Sequence, residues 1–308
     1  GTTWNYGQIH GLTPAEAYNG TDTADLIGGW NGIDIINGLA GNDTLYGYGG
    51  NDTLKGGDGA DTIDGGDGND IVVSGSGADS LMGGNGDDIV DGGADNDIVT
   101  DVSGYNTLKG GAGDDAIWGH GVFEGGTGND TTTTNTYWEG SSDVYQFNLG
   151  DGQDTVWEWG TSNTWVYWGA VDVIKLGAGI LPSAVSLVRN GNDMVFKYSA
   201  NDQVAVKDWF LTSERQIEEI QFADGTTWNL NKILSLPVGD YNSINQGTPT
   251  EGSDILNGTL QDNTIDGLGG NDTIDGKDGS DILLGNAGAD SLIGGAGNDQ
   301  LDGGVGID

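Results

Sequence analysis

The chain has 308 residues, among them 60 Gly, 48 Asp plus Glu against 9 Lys plus Arg, and no Cys, for a formal net charge of -39. That charge excludes unassisted binding to nucleic acid or insertion into an anionic membrane surface, both of which need a basic face. No apolar run reaches the length of a membrane-spanning helix, and zero cysteine removes disulfides, thiol nucleophiles and Cys-based metal sites. An extracellular home stays open, because a metal can staple a secreted fold in place of disulfides.

In chain order, residues 1–19 read as a linker with a short helix: Thr13-Pro14-Ala15-Glu16 has a cap residue, a first-turn Pro and a third-position Glu. Residues 20–136 form a first repeat array. Stepping by nine from Gly20, the sixth position reads Asp25, Asp34, Asp43, Asp52, Asp61, Asp70, Asp79, Asp88, Asp97, Asn106 and Asp115. The eighth position reads Ile27, Ile36, Leu45, Leu54, Ile63, Val72, Leu81, Val90, Val99, Leu108 and Ile117. The frame breaks after Trp118, and Gly125 to Asp130 supply one last copy. Residues 137–236 are a central domain with ordinary composition, 237–248 a linker, and 249–308 a second array with Asp254, Asn263, Asp272, Asp281, Asp290, Asp299 and Asp308 in the acidic column. The chain stops in mid-repeat, which reads as a piece of a longer polypeptide. Outside residues 137–233 there are 35 acids against 3 bases, so the flanks carry -32 of the net charge.

Each unit has the form Gly-Gly-x-Gly-x-Asp-x-U-x, with U aliphatic, as in Gly56 to Asp64. Three residues around U make a short strand, and the Gly-rich six make a turn that needs positive φ. Two units give an 18-residue coil, and stacked coils give a parallel β-roll. Each coil buries roughly two aliphatic side chains, too few to offset the ordering entropy of its residues. Coils stack about 4.8 Å apart, so carboxylates 18 residues apart repel by about 3.5 kcal/mol per pair at an effective dielectric of about 20. A cation between the rungs removes that repulsion. Carboxylate and carbonyl oxygens are hard ligands, which favours Ca²⁺ over zinc or copper.

The nonapeptides resemble the RTX (repeats-in-toxin, haemolysin-type) calcium-binding repeat. That resemblance implies ions held between turns two repeats apart, by sixth-position Asp and by glycine-turn carbonyls. Carried over, Asp25, Asp43, Asp61, Asp79, Asp97 and Asp115 line one side of the first array, and Asp34, Asp52, Asp70 and Asp88 the other, with Asp130 in the last copy. In the second array Asp254, Asp272, Asp290 and Asp308 face Asp281 and Asp299. Asn106 and Asn263 depart from the pattern. The implied carbonyl donors lie in the turns of Gly38, Gly41, Gly47, Gly56, Gly57, Gly59, Gly65, Gly66, Gly68, Gly83, Gly84, Gly86, Gly267, Gly276, Gly294 and Gly295. Adjacent pairs give about 12 candidate Ca²⁺ sites. The resemblance further implies export by a type I secretion machinery and folding only outside the cell.

Residues 143–233 alternate apolar and polar positions in short runs, as antiparallel strands do. Val185 to Arg189, Met194 to Tyr198, Val204 to Lys207, Ile217 to Phe222 and Thr226 to Trp228 are the clearest. DVYQFNLGDGQDTV, VAVKDWF and IEEIQFADGTTW resemble the haemolysin-type calcium-binding-associated domain found between such arrays. Its turn Asp151-Gly152-Gln153-Asp154 reads as solvated, with an ion as the alternative. WEWGTSNTWVYW (157–168) reads as a hairpin presenting Trp157 and Trp159 on one arm, Trp165 and Tyr167 on the other. Flat indoles stack on sugars or neighbouring protein, or simply close the end of a roll.

The expected architecture is therefore all-β, with two parallel β-roll solenoids flanking a small antiparallel β domain. Motifs of hydrolases, metalloproteases and nucleotide-binding loops are missing. His10 and His120 read as solvated or capping, and Glu158, Asp172 and Glu218 show no glycosidase spacing. The leading expectation is a non-enzymatic, calcium-folded structural or adhesive module of a secreted or cell-surface protein. The alternative is an accessory module of a secreted protease, lipase or polysaccharide-modifying enzyme that binds extracellular polysaccharide or stabilises its neighbours.

Overall fold

The computed structural model describes residues 16–134, 142–158, 171–211, 215–240, 252–258 and 263–306. The chain divides into two compact units, Gly1–Ser186 with Asn192–Leu236, and Leu187–Gly191 with Pro237–Asp308. Among the described residues no helix is long and apolar enough to cross a membrane.

In the first unit each short strand pairs in parallel with the strand two positions further on. Thr44–Gly49 pairs with Thr62–Asp67, setting Leu45 against Ile63, and Thr53–Asp58 pairs with Ile71–Ser76, setting Leu54 against Val72. Neighbours are thus 18 residues apart, the coil length set by two nonapeptides. Between Ile36 and Ile117 the eighth-position side chains are at most 2% exposed and form the whole interior of the roll. Glu16, expected in a helix, begins the strand Glu16–Asn19, which pairs with Asp34–Asn37; Thr13 to Ala15 lie outside the described residues. Pairing with the next coil satisfies backbone groups that a lone short helix would leave to water.

Leu39, Tyr48, Leu268, Lys277 and Asn286 hold the second turn position at positive φ, but where glycine stands there it does so for two separate reasons. Gly57 has φ of 115°, and a β-carbon there would sit 1.7 Å from the carbonyl oxygen of Leu39 in the coil before. Gly57→Ala is expected to cost at least about 2 kcal/mol, from left-handed strain plus that clash. Its calcium midpoint for folding, followed by circular dichroism, should rise several-fold; an unchanged midpoint would show that the turn opens freely.

Where the repeat breaks, the roll does not. Asn106 pairs with Gly121, so the coil there is three residues shorter than its predecessors. The central residues then extend the same stack. Val144–Phe147 pairs in parallel with Ala116–Thr127 and with Val173–Leu176, which pairs in parallel with Glu219–Phe222. Gln153–Trp157 bridges Thr131–Thr134 and Gln203–Val206 in the same way. Antiparallel pairing is found for Asp193–Lys197 with Gln203–Val206 and for Glu219–Phe222 with Thr227–Asn229. Apolar alternation fits either direction, so the sequence pattern did not separate hairpins from continued coils. The interior widens here to hold aromatics, with Phe123 stacked on Tyr145 at 5.3 Å and Trp209 edge-on to Phe196 at 5.6 Å. A short helix, Leu230–Leu234, capped by the Asn229 side chain accepting from the Lys232 N–H, was not foreseen from the sequence.

In the second unit Leu187–Arg189 pairs in parallel with Val238–Asp240. The second array makes two three-stranded parallel sheets, Ile255–Asn257 with Thr273–Asp275 and Ser291–Ile293, and Thr264–Asp266 with Ile282–Leu284 and Gln300–Asp302. Leu256, Ile265, Ile274 and Leu283 fill its core.

Candidate metal centre

The column of carboxylates is wired by one rule. The backbone N–H of each sixth-position Asp donates to Oδ1 of the Asp one coil later: Asp25 to Asp43 at 2.8 Å, Asp43 to Asp61 at 2.7 Å, Asp61 to Asp79 at 2.6 Å, Asp79 to Asp97 at 2.9 Å and Asp97 to Asp115 at 2.8 Å. On the other side Asp34, Asp52, Asp70 and Asp88 follow the same rule, and Asn106 closes the series by accepting from Asp88 at 2.9 Å. The second array repeats it from Asp254 through Asp272 to Asp290 and from Asn263 through Asp281 to Asp299. Asp308 lies outside the described residues. Asn substitutes in this role because its amide oxygen accepts the same bond, but it brings no charge.

Oδ1 is satisfied and Oδ2 is not. In Asp43, Asp52, Asp61, Asp70, Asp79, Asp88, Asp97, Asp115 and Asp130, and in Asp272 and Asp281, Oδ2 is buried with no hydrogen-bond partner. An orphaned buried carboxylate oxygen costs more than a neutral orphan's roughly 1–3 kcal/mol, and here it recurs from coil to coil. Apart from Asp79, each points into a hollow kept open by the first-position glycine of its own turn. A β-carbon on Gly38 would lie 2.3 Å from Asp43 Oδ2 and 2.6 Å from the Gly56 carbonyl oxygen. On Gly276 it would lie 2.4 Å from Asp281 Oδ2 and 2.6 Å from the Gly294 oxygen. The same pairing of carboxylate and next-coil carbonyl is present at Gly47, Gly65 and Gly267, which face Asp52, Asp70 and Asp272. At Gly294 the hollow faces Asp299 Oδ2. Gly41, Gly57, Gly59, Gly66, Gly68, Gly84, Gly86 and Gly295 turn the chain at positive φ in the same repeats.

Four positions among the described residues of the first array depart from the pattern. Oδ2 of Asp25 and of Asp34 is already engaged by the N–H of Thr21 and of Trp30, each at 2.6 Å. At the Asp79 turn the first position is Ser74, whose hydroxyl donates to the Gly92 carbonyl. At the Asp88 hollow the next coil presents Asp101 instead of a glycine. Asp101 was not among the sequence candidates.

The ladder also continues through the centre. Asp115 donates to Asp130, and Asp130 to Asp154, at 2.9 and 3.0 Å. On the other side the Gly121 N–H donates to Asp143, the Asp143 N–H to Asp172 and the Asp172 N–H to Glu218. Asp143, Glu158 and Asp172 each bring an oxygen within 4.8 Å of the other two. Glu158 accepts from Thr134 and from Tyr145, and burial holds its carboxyl well above the usual range. His120, expected to be solvated or capping, is buried with Nδ1 2.5 Å from Asp143 Oδ1. In the turn expected to be solvated, Asp154 is buried and its Oδ2 is an orphan, while Asp151 accepts from the Asn148 N–H. A usable signal was present: Asp143-x-Tyr145, Asp154-x-Val156, Asp172-x-Ile174 and Glu218-x-Ile220 keep the acid two residues before a buried core side chain after the glycines are gone.

Burial dominates the proton affinities and works against ionisation. It pushes Asp52, Asp61 and Asp70 up to about 6, and Asp97, Asp130 and Asp154 up to about 7, although the N–H bond to each favours the charged form. Like charges one coil away add to the rise. The donor set is oxygen only, anionic plus carbonyl, which suits calcium's flexible oxygen shell better than zinc or copper.

Fold and hollows together define a cation-binding parallel β-roll. The model of the RTX calcium-binding nonapeptide repeat matches residues 29–63, 46–81, 64–99, 99–121, 249–283 and 275–308, and that of the haemolysin-type calcium binding protein related domain matches 193–232. The chain carries RTX haemolysin-type calcium-binding repeats with a haemolysin-type related domain between the two arrays. No curated protein matches it as a relative. Among solved structures it is similar to the extracellular lipase LipA from Serratia marcescens, at 19% identity and a TM-score of 0.24; the match covers 64% of this chain and 38% of that one.

Proposed function

We propose that the chain is a calcium-folded, non-catalytic module of a secreted or cell-surface protein, with a structural or adhesive role. The observation that carries this reading is the recurring orphan Oδ2, buried beside a carbonyl of the next coil in a hollow that only glycine leaves open. A bound Ca²⁺ supplies positive charge and oxygen coordination to those hollows. About 12 ions filling the candidate positions would offset about 24 of the negative charges. The same charge accounts for export: at low cytosolic calcium the self-repelling chain stays unfolded and fits a type I secretion route, and calcium outside assembles it.

The accessory carbohydrate-binding reading has less support. Trp159, Trp165 and Tyr167 lie outside the described residues, and the ring of Trp157 has Lys207 Nζ 5.4 Å from its centroid. One face of that indole is thus already used by a cation.

Proteolysis tests the proposal. With a broad-specificity protease, the chain should be digested throughout at free calcium below about 1 µM and resist at about 1 mM, the range of extracellular calcium modules. Equal resistance at both would refute it. Polysaccharide pull-down that is lost in Trp157→Ala would move the assignment to the accessory module.

A further inference from the structure

One hollow of the first array presents a second carboxylate. Elsewhere a sixth-position Oδ2 faces the backbone carbonyl of the first residue of the next coil, as Asp97 faces Gly110 across Gly92 and Asp115 faces Gly125 across Gly110. Over Gly83 that residue is Asp101, and its side chain takes the place of the carbonyl. A β-carbon on Gly83 would lie 2.0 Å from Asp101 Oδ2 and 2.7 Å from Asp88 Oδ2. The Asp101 backbone oxygen instead faces Gly119, 2.4 Å from the β-carbon position there. Both carboxylates are 1% exposed; Oδ2 of each is buried without a geometric hydrogen bond to any N–H or hydroxyl, and the two carboxyls stand close enough to couple through a shared proton. Asp101 is held in this pose by the Ser103 N–H, 3.2 Å from its Oδ1, where the strand register shifts between Asp101 and Asn106.

Asp101 and the Asn106 departure belong together. Asn106 keeps the ladder bond from Asp88 but contributes no anionic oxygen. The charge missing from that rung stands one hollow earlier, on the side chain that faces Asp88. Two buried, unpartnered anionic oxygens facing one point repel strongly unless a cation or a proton lies between them. A shared proton bridges the two Oδ2 atoms but leaves one negative charge buried; a divalent ion neutralises both.

We propose that Asp101 is a side-chain ligand and, with Asp88, forms a two-carboxylate calcium site that fills before the other sites of the first array. The inference rests on the calcium-folded reading above. Ligand charge is a main determinant of calcium affinity, so exchanging a carbonyl for a carboxylate should tighten this ion by at least about tenfold relative to its neighbours. This site would hold two adjacent coils together at low calcium and so give the array a place to start folding.

The test is a competition titration of the full chain against a fluorescent calcium chelator of known affinity. The wild-type chain should show one ion held at least about tenfold more tightly than the rest. Asp101→Asn and Asp101→Gly, the latter restoring the repeat's usual residue, should lose that tight class while keeping the weaker ions and the β signal at saturating calcium. Retention of the tight ion in both variants overturns the proposal, as does a wild-type chain that binds calcium normally without a tight class. The second outcome is what a shared proton between Asp88 and Asp101 would give. If either variant fails to fold, the wild-type titration alone still decides whether a tight class exists. A chain that binds no calcium at all would instead overturn the function proposed above.

Discussion

In chelator at pH 7.5 the chain should lose most of its β signal, and calcium at about 1 mM should restore it cooperatively, with magnesium far less effective. The expected effect is large because nothing else in the array can hold the coils together. Each coil contributes only its pair of buried aliphatic side chains, such as Leu54 and Ile63, against the ordering of eighteen residues. Each carboxylate rung adds repulsion of about 3.5 kcal/mol at an effective dielectric of about 20. The N–H bond to Oδ1 offsets part of this, but Oδ2 of the same residue remains buried and unpaired. Magnesium should fail because it requires a regular octahedron and sheds water reluctantly, whereas these hollows offer oxygens fixed by the coil spacing.

Acid should substitute in part for calcium. Burial raises Asp97 and Asp130 to about 7 in the roll, against about 3.9 for an Asp in the unfolded chain. A carboxyl raised on folding binds its proton more tightly in the folded state. Its contribution to the cation-free roll is therefore complete below about pH 4 and is lost as pH rises through about 7. In chelator the β signal should be greater at pH 5 than at pH 8, and neutralisation of the net charge works in the same direction. Calcium needs the ionised form, so its folding midpoint should rise several-fold between pH 8 and pH 6, with protons released on binding at the lower pH. Potentiometric titration at pH 6.5 reads the release directly. A calcium midpoint independent of pH would show that the ladder stays ionised without metal.

How much of this was legible in the sequence follows from what periodicity carries. The nine-residue frame located the core, since every eighth-position side chain from Ile36 to Ile117 is buried, and it placed Asp43, Asp61 and Asp79 one coil apart. It said nothing about which oxygen does what. That Oδ1 takes the N–H of the preceding rung and leaves Oδ2 toward the next-coil carbonyl depends on turn geometry. Asp101 is not legible in the frame, which assigns its position to a glycine. Asp143, Asp172 and Glu218 are not legible as ladder acids for a different reason. Their coils span 29 and 46 residues, so the fixed period vanishes while the acid-x-core relation survives. Parallel pairing in the centre was hidden for the same cause: alternation identifies a half-buried strand and not its neighbour. The Gly56 hollow shows the reverse case, a site fully visible as a repeat yet chemically defined only once Asp61 Oδ2 and the Ser74 carbonyl are seen 2.1 and 2.7 Å from a β-carbon position.

The most direct measurement follows bound ions and backbone structure in one sample as calcium is added to the chelator-treated chain at pH 7.5. Ions counted by equilibrium dialysis and β signal by circular dichroism should rise together and level off near about 12 ions per chain, the number of acidic pairs that the nonapeptide period sets one coil apart. A roll fully formed before calcium is added, or β signal that saturates with only one or two ions bound, would contradict the assignment of the carboxylate ladders as its metal sites.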